Sequence, residues 1–244
     1  MQEIISNLSE RDIEELCLGS RPIPNSCFGL LESLTVDGCQ FLSNVLLPFN
    51  LLISLTNLET LEVRNSDFVK TIFDVKCTTQ NRDVTSVGQT LPFSLKKLTL
   101  SMLPNLENVW NEDPHRILSM HHLKQVLVDN CKCLTSLFPA SVAKDFVELE
   151  HLEVEDCEGL MTIVAEDNTD PSGTKQELPC PPVRSLLLRG LPKFKYFYYS
   201  SLQCDNFATE NEVYVEKVCS TLLRLPHERL FFSLYTKLLD LYLP

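Results

Sequence analysis

Basic side chains are scarce in this chain: 21 Lys and Arg stand against 33 Asp and Glu, giving a formal net charge of −12 and a pI near 4.9. A nucleic-acid backbone or an anionic membrane surface needs a basic face, so neither is the expected main partner. Long apolar runs are missing too. No stretch approaches the roughly 18 residues that mark a membrane span, and the opening Met1-Gln-Glu-Ile-Ile-Ser carries no basic n-region. Glycine is sparse, with seven in 244 residues, and no two stand at the offset of a Gly-x-x-x-x-Gly-Lys phosphate loop. The five histidines (115, 121, 122, 151 and 227) make no metal-type spacing with cysteine. Cys131-x-Cys133 lacks the second Cys or His pair that a zinc site requires. Neither a metal, a cofactor nor a small-molecule substrate is expected.

Apolar residues make up 44% of the chain at a mean hydropathy near zero, enough to line a continuous core. They recur in one short pattern, Leu-x-x-Leu-x-Val/Leu, with Cys, Ser or Leu three residues further on. The pattern begins at Leu31, Leu58, Leu95, Leu123, Leu149 and Val183, and atypical copies begin at Ile13 and Leu238. The intervals are 18, 27, 37, 28, 26, 34 and 55 residues. A leucine-rich repeat of about 20–29 residues accounts for the shorter ones, and insertions for the longer. The fold class expected is an α/β leucine-rich-repeat solenoid: a curved array of short parallel strands with irregular or short helical convex segments.

Within a unit, the Leu and Val side chains of Leu-x-x-Leu-x-Val point inward, and the x residues face out on the concave side. After each strand a second apolar set, such as Leu106–Val109–Trp110 or Leu134–Leu137–Phe138, closes the convex side. A short helix is expected over Ala140–Val147, behind Pro139. Segments 74–92 and 166–182, rich in turn residues, read as exposed insertions. Four stretches follow: 1–30, an atypical first repeat; 31–197, six repeat units; 198–233, an irregular insertion with a possible helix over Val213–Leu225; and 234–244, a truncated last repeat. The apolar ending at Leu241-Tyr-Leu243-Pro244 reads as a fragment or truncated product with an open edge.

Three of the ten cysteines, Cys39, Cys131 and Cys157, share the inward position after the strand. Buried free thiols in a reducing, cytoplasmic compartment are expected. The same phase turns His151 outward and Cys157 inward, so they form no nucleophile–base pair. The chain is read as a non-enzyme.

The outward positions stack into three columns. Ser33, Thr60, Lys97, Gln125, His151 and Ser185 form the first; Thr35, Glu62, Thr99, Leu127, Glu153 and Leu187 the second; Asp37, Arg64, Ser101, Asp129, Glu155 and Arg189 the third. Leu127 and Leu187 have no packing reason to face solvent, and such residues can anchor a partner. The oppositely charged neighbours Asp37 with Arg64 and Glu155 with Arg189 also have a structural account, as cross-strand pairs. The candidate partner-binding set is Thr35, Asp37, Glu62, Arg64, Lys97, Thr99, Gln125, Leu127, Asp129, His151, Glu153, Glu155, Leu187 and Arg189.

Leu123–Cys131 and Leu149–Cys157, the run Leu137-Phe138-Pro139-Ala-Ser141-Val142-Ala143-Lys144, and Leu188-Arg-Gly-Leu191-Pro192-Lys193-Phe194-Lys195 together resemble a known family. It is the leucine-rich-repeat region of plant coiled-coil, nucleotide-binding disease-resistance proteins. The resemblance covers about residues 30–197. It implies an intracellular immune receptor whose repeats recognise a pathogen effector or a guarded host protein. It also implies that they hold a nucleotide-binding module, not found in this sequence, inactive. Alternatives are a repeat adaptor of a ubiquitin ligase or a non-functional truncated gene product.

Overall fold

The computed structural model describes residues 28–38, 44–76, 91–112, 114, 118–165, 183–198 and 212–218. In chain order the strands of the first half are β1 (Ser33–Asp37), β2 (Val45–Leu47), β3 (Thr60–Arg64), β4 (Thr71–Phe73), β5 (Leu91–Pro92), β6 (Lys97–Ser101) and β7 (Asn108–Trp110). Those of the second half are β8 (Leu118–Ser119), β9 (Gln125–Asp129), β10 (Ser136–Phe138), β11 (His151–Glu155), β12 (Thr162–Val164), β13 (Ser185–Leu191), β14 (Tyr196–Tyr198) and β15 (Glu212–Val218). Two short helices are α1 (Phe49–Leu52) and α2 (Ala140–Lys144).

Each repeat core becomes one strand of a seven-stranded parallel sheet in the order β1-β3-β6-β9-β11-β13-β15. The register does not slip: Leu34, Leu61, Leu98, Val126, Leu152 and Leu186 are successive partners. Leu61, Val63, Leu98, Leu100, Val126, Val128, Leu152 and Val154 are at most 1% exposed. Burying each of these side chains contributes roughly 1.5–3 kcal/mol, and a one-residue slip would expose them all. On the other side, β2-β4-β7 and β10-β12-β14 form two three-stranded parallel rows, and β5 pairs with β8. The core lies between these rows and the large sheet. Phe73 fills its N-terminal half, stacked on Trp110 at 4.4 Å and edge-on to Phe93 at 6.0 Å. Trp110 therefore serves as convex-side core, as expected.

Three expectations need correction. The helix over Ala140–Val147 stops at Lys144. Asp145 caps it, and its Oδ2 accepts a hydrogen bond from the Met120 amide at 3.2 Å. This tie to a neighbouring coil leaves Val147 outside the helix and 59% exposed. The irregular or helical stretch 198–233 contains β15, in register with β13, so at 212–218 the possible helix is a strand. Val213, Val215 and Val218 hold the apolar frame of the repeat there, although Glu210 stands where its first Leu would be. The insertion 74–92 is also shorter than expected: Val75 is buried and Leu91–Pro92 belong to β5. Residues 77–90 and 166–182, Cys39, and the atypical repeats at 13 and 238 lie outside the described residues.

Candidate protein-binding face

The turn that ends each strand decides what the concave face presents. In six successive units the residue after the third-column position is left-handed: Gly38, Asn65, Met102, Asn130, Asp156 and Gly190, with φ between 48° and 64°. Glycine adopts this region freely and Asn or Asp with local help, whereas Met does so at a cost. The amides at these positions extend the ladder by one rung. Asn65 donates to the Ser101 carbonyl at 3.2 Å, Asn130 to that of Glu155 at 3.0 Å, and Asp156 to that of Arg189 at 2.9 Å. The following side chain drops into the core: Ser66, Leu103, Cys131, Cys157 and Leu191 are at most 1% exposed. Where it is a donor it closes the turn on a carbonyl two residues back. Ser66 bonds Arg64 at 3.1 Å, Cys131 bonds Asp129 at 3.5 Å and Cys157 bonds Glu155 at 3.1 Å. Cys131 and Cys157 are free thiols. The neighbouring Cys157 thiol, and burial after it, hold the Cys131 thiol well above its ordinary value, with Cys131 the partner that keeps its proton.

With the strand ends fixed, the three columns expected from the sequence align across the sheet. Thr35, Glu62, Thr99, Leu127, Glu153 and Leu187 are consecutive partners, and Tyr214 of β15 takes the next place in register. Asp37, Arg64, Ser101, Asp129, Glu155 and Arg189 align likewise, followed by Glu216. In the first column Lys97, Gln125 and His151 are neighbours. Leu127 and Leu187 are half-buried, each the register partner of Glu153.

The charges settle partly as expected. Arg189 forms an ion pair with Glu155 across β11 and β13. Arg64 bonds Glu62 on its own strand, and Asp37 accepts a hydrogen bond from Asn65 Nδ2 at 2.6 Å. The Glu155 carboxyl, with 14% of its side chain exposed, is raised above the usual range. Burial is the main cause and the adjacent Glu153 carboxyl the second, with Arg189 acting against them. Asp129, half-buried, accepts from the Ser101 hydroxyl at 3.2 Å.

One feature of this face escaped the pattern reading. Thr99, placed among the outward positions, is only 9% exposed, and its Oγ1 is buried with no hydrogen-bond partner among the described residues. It lines an open recess of 380 Å³ together with Arg64, Asn65, Leu100, Ser101, Leu127 and Asp129. No sequence signal marks that hydroxyl; its burial follows from the larger Glu62 and Leu127 on either side. Among the described residues, no three His, Cys, Asp or Glu gather as a metal site, and no helix is long and apolar enough to cross a membrane.

A family model described as plant disease resistance protein RPS2-like, leucine-rich repeats, matches residues 2–158. No curated protein and no solved structure matches the chain.

Proposed function

The chain belongs to the RPS2-like leucine-rich-repeat family of plant disease resistance proteins, and we propose that its concave sheet is the sensor surface of an intracellular immune receptor. The partner is a pathogen effector or a host protein that an effector alters, met in the cytoplasm. One observation carries this reading: half-buried Leu127 on the central strand β9 and half-buried Leu187 on β13 sit in the middle column of a face whose other outward positions from β1 to β13 are polar, where the core gives them no role. Aliphatic residues ringed by polar ones are the usual anatomy of a protein contact. In the receptor, the same repeats hold a nucleotide-binding module inactive. Partner binding then shifts the balance between two receptor states by its differential affinity for them. Recognition rather than catalysis is the role.

The test is proximity labelling in leaf tissue with the full chain fused to a biotin ligase. A double substitution on the concave face, Leu127→Gln with Leu187→Gln, is compared with Val147→Gln plus Met161→Gln, exposed positions outside the large sheet. Loss of specific labelled proteins in the first variant alone supports the concave reading. Identical protein sets from wild type and both variants would reject it.

A further inference from the structure

Near the middle of the concave sheet, chemistry is left over that the fold does not use. The Thr99 hydroxyl is buried with no hydrogen-bond partner among the described residues, a deficit that a ligand donor would relieve. Asp129 lines the same recess, its carboxylate accepting from Ser101, and Leu127, two positions back on β9, stands beside Thr99 as its aliphatic wall. An apolar wall leading to two oxygen acceptors suits a long side chain with a cationic end, such as Lys or Arg. Arg64, the cation on the recess wall, is already ion-paired with Glu62.

The surrounding charge has the matching sign. On β9 and β11 the outward positions hold Asp129, Glu153 and Glu155, with Glu155 the direct partner of Asp129 in register. The cations and titratable bases facing them are Arg189 on β13, which pairs with Glu155, Lys97 on β6 and His151 at the start of β11. Further along, Glu212 and Glu216 of β15 are the register partners of Ser185 and Arg189. The central column meanwhile runs Leu127, Glu153, Leu187.

We propose that this face takes an extended basic segment of a partner protein, with one Lys or Arg side chain entering the recess between Thr99 and Asp129. Its stem lies on Leu127, and its charged head donates to the Asp129 carboxylate and to Thr99 Oγ1. The following residues of the segment cross Glu153 and Leu187, alternating basic and aliphatic. The proposal rests on the concave-face reading above and adds the chemical class of the partner.

Fluorescence anisotropy on the full chain tests it. The probes are a labelled ten-residue peptide of alternating Lys and Leu, and the same peptide with Glu in place of Lys. The pair Asp129→Lys with Glu153→Lys is compared with Asp67→Lys and Glu158→Lys, which change net charge equally but lie in turns outside the sheet. The expected result is at least about tenfold weaker Lys–Leu binding in the first pair, with the second within about threefold of wild type. Asp129→Asn with Glu153→Gln gives the same ordering if the lysine pair fails to fold. Thr99→Val raises the urea midpoint while weakening the peptide. Equal losses in the two lysine pairs, or equal binding of the Glu–Leu peptide, would overturn the proposal. If Lys–Leu does not bind while leaf labelling still depends on Leu127 and Leu187, the basic partner falls and the concave reading stands. If both measurements are negative, both fall.

Discussion

Gly190 and Gly38 occupy the same turn position with the same φ of 64°, but their surroundings differ, so alanine at each separates two costs. At Gly38 a Cβ meets nothing within 4 Å, and Gly38→Ala carries only the left-handed backbone penalty, about 1–2 kcal/mol. At Gly190 the added Cβ would lie 2.1 Å from Asp156 Oδ1 and 3.2 Å from the Asp156 Cα. The carboxylate can rotate away at a rotamer cost of roughly 0.5–1.5 kcal/mol. Gly190→Ala should therefore lose about 2–3 kcal/mol in total. In an Asp156→Gly background the obstructing carboxylate is gone, and the added cost should fall towards that of Gly38→Ala, the contact with the backbone at 156 remaining. Urea unfolding followed by circular dichroism gives the three values. A repeat array need not unfold in one step, so exchange of the Asp156 amide, bonded to the Arg189 carbonyl at 2.9 Å, reports the local loss directly. If Gly190→Ala costs no more than Gly38→Ala, or if removing the Asp156 side chain brings no relief, the turn is not packed as argued.

The same turn predicts a gain at Met102, the only residue of the six that is neither Gly, Asn nor Asp. Met102→Asn should stabilise by about 0.5–1 kcal/mol, read as a higher urea midpoint; a fall would refute the strain argument. Among the described cysteines, iodoacetamide with peptide mapping should label exposed Cys133 quickly and leave Cys131 and Cys157 protected until urea is added. Comparable labelling of all three in the native chain would contradict the buried, hydrogen-bonded thiols. Glu155 has a raised carboxyl, so its contribution is fully present below the unfolded value and is lost as pH rises through the folded one. Glu153→Gln should lower the Glu155 midpoint in a carboxyl carbon NMR titration and improve stability at neutral pH more than at acid pH. An unmoved midpoint would remove Glu153 as a cause.

The large sheet was legible because its requirement, inward Leu/Val at every second position in a unit that recurs along the chain, is written in residue type even where insertions lengthen the interval. Three kinds of feature were harder. Strand β15 escaped because Glu210 replaces the first Leu of its unit, although Val213, Val215 and Val218 keep the rest of the frame. Helix α2 runs short because Asp145 is held by the Met120 amide, a contact between coils that local propensity does not contain. The buried Thr99 hydroxyl was invisible for a related reason: an outward threonine in an alternating pattern is expected to be wet, and only the sizes of Glu62 and Leu127 beside it make it dry. The turn position had a signal, since Gly, Asn and Asp follow the strand in five of six units.

This division of labour bears on how such a face acquires a partner. Fold stability resides in the inward residues, the left-handed turn and the small donors that close it, which reach the third column mainly through its backbone carbonyls, as Ser66 does at Arg64, Cys131 at Asp129 and Cys157 at Glu155. The column residues contribute little in return: exposed ion pairs such as Arg64 with Glu62 on β3 are worth at most about 1 kcal/mol. Most of them can change with little effect on the array, while the unslipped register guarantees that each new side chain appears at a known place, one strand spacing of about 4.8 Å from its neighbours. Leu127, Leu187 and Thr99 stand apart from that neutrality. Two aliphatic side chains and a hydroxyl, held where the fold gains nothing from them, are better explained by what they contact than by what they support.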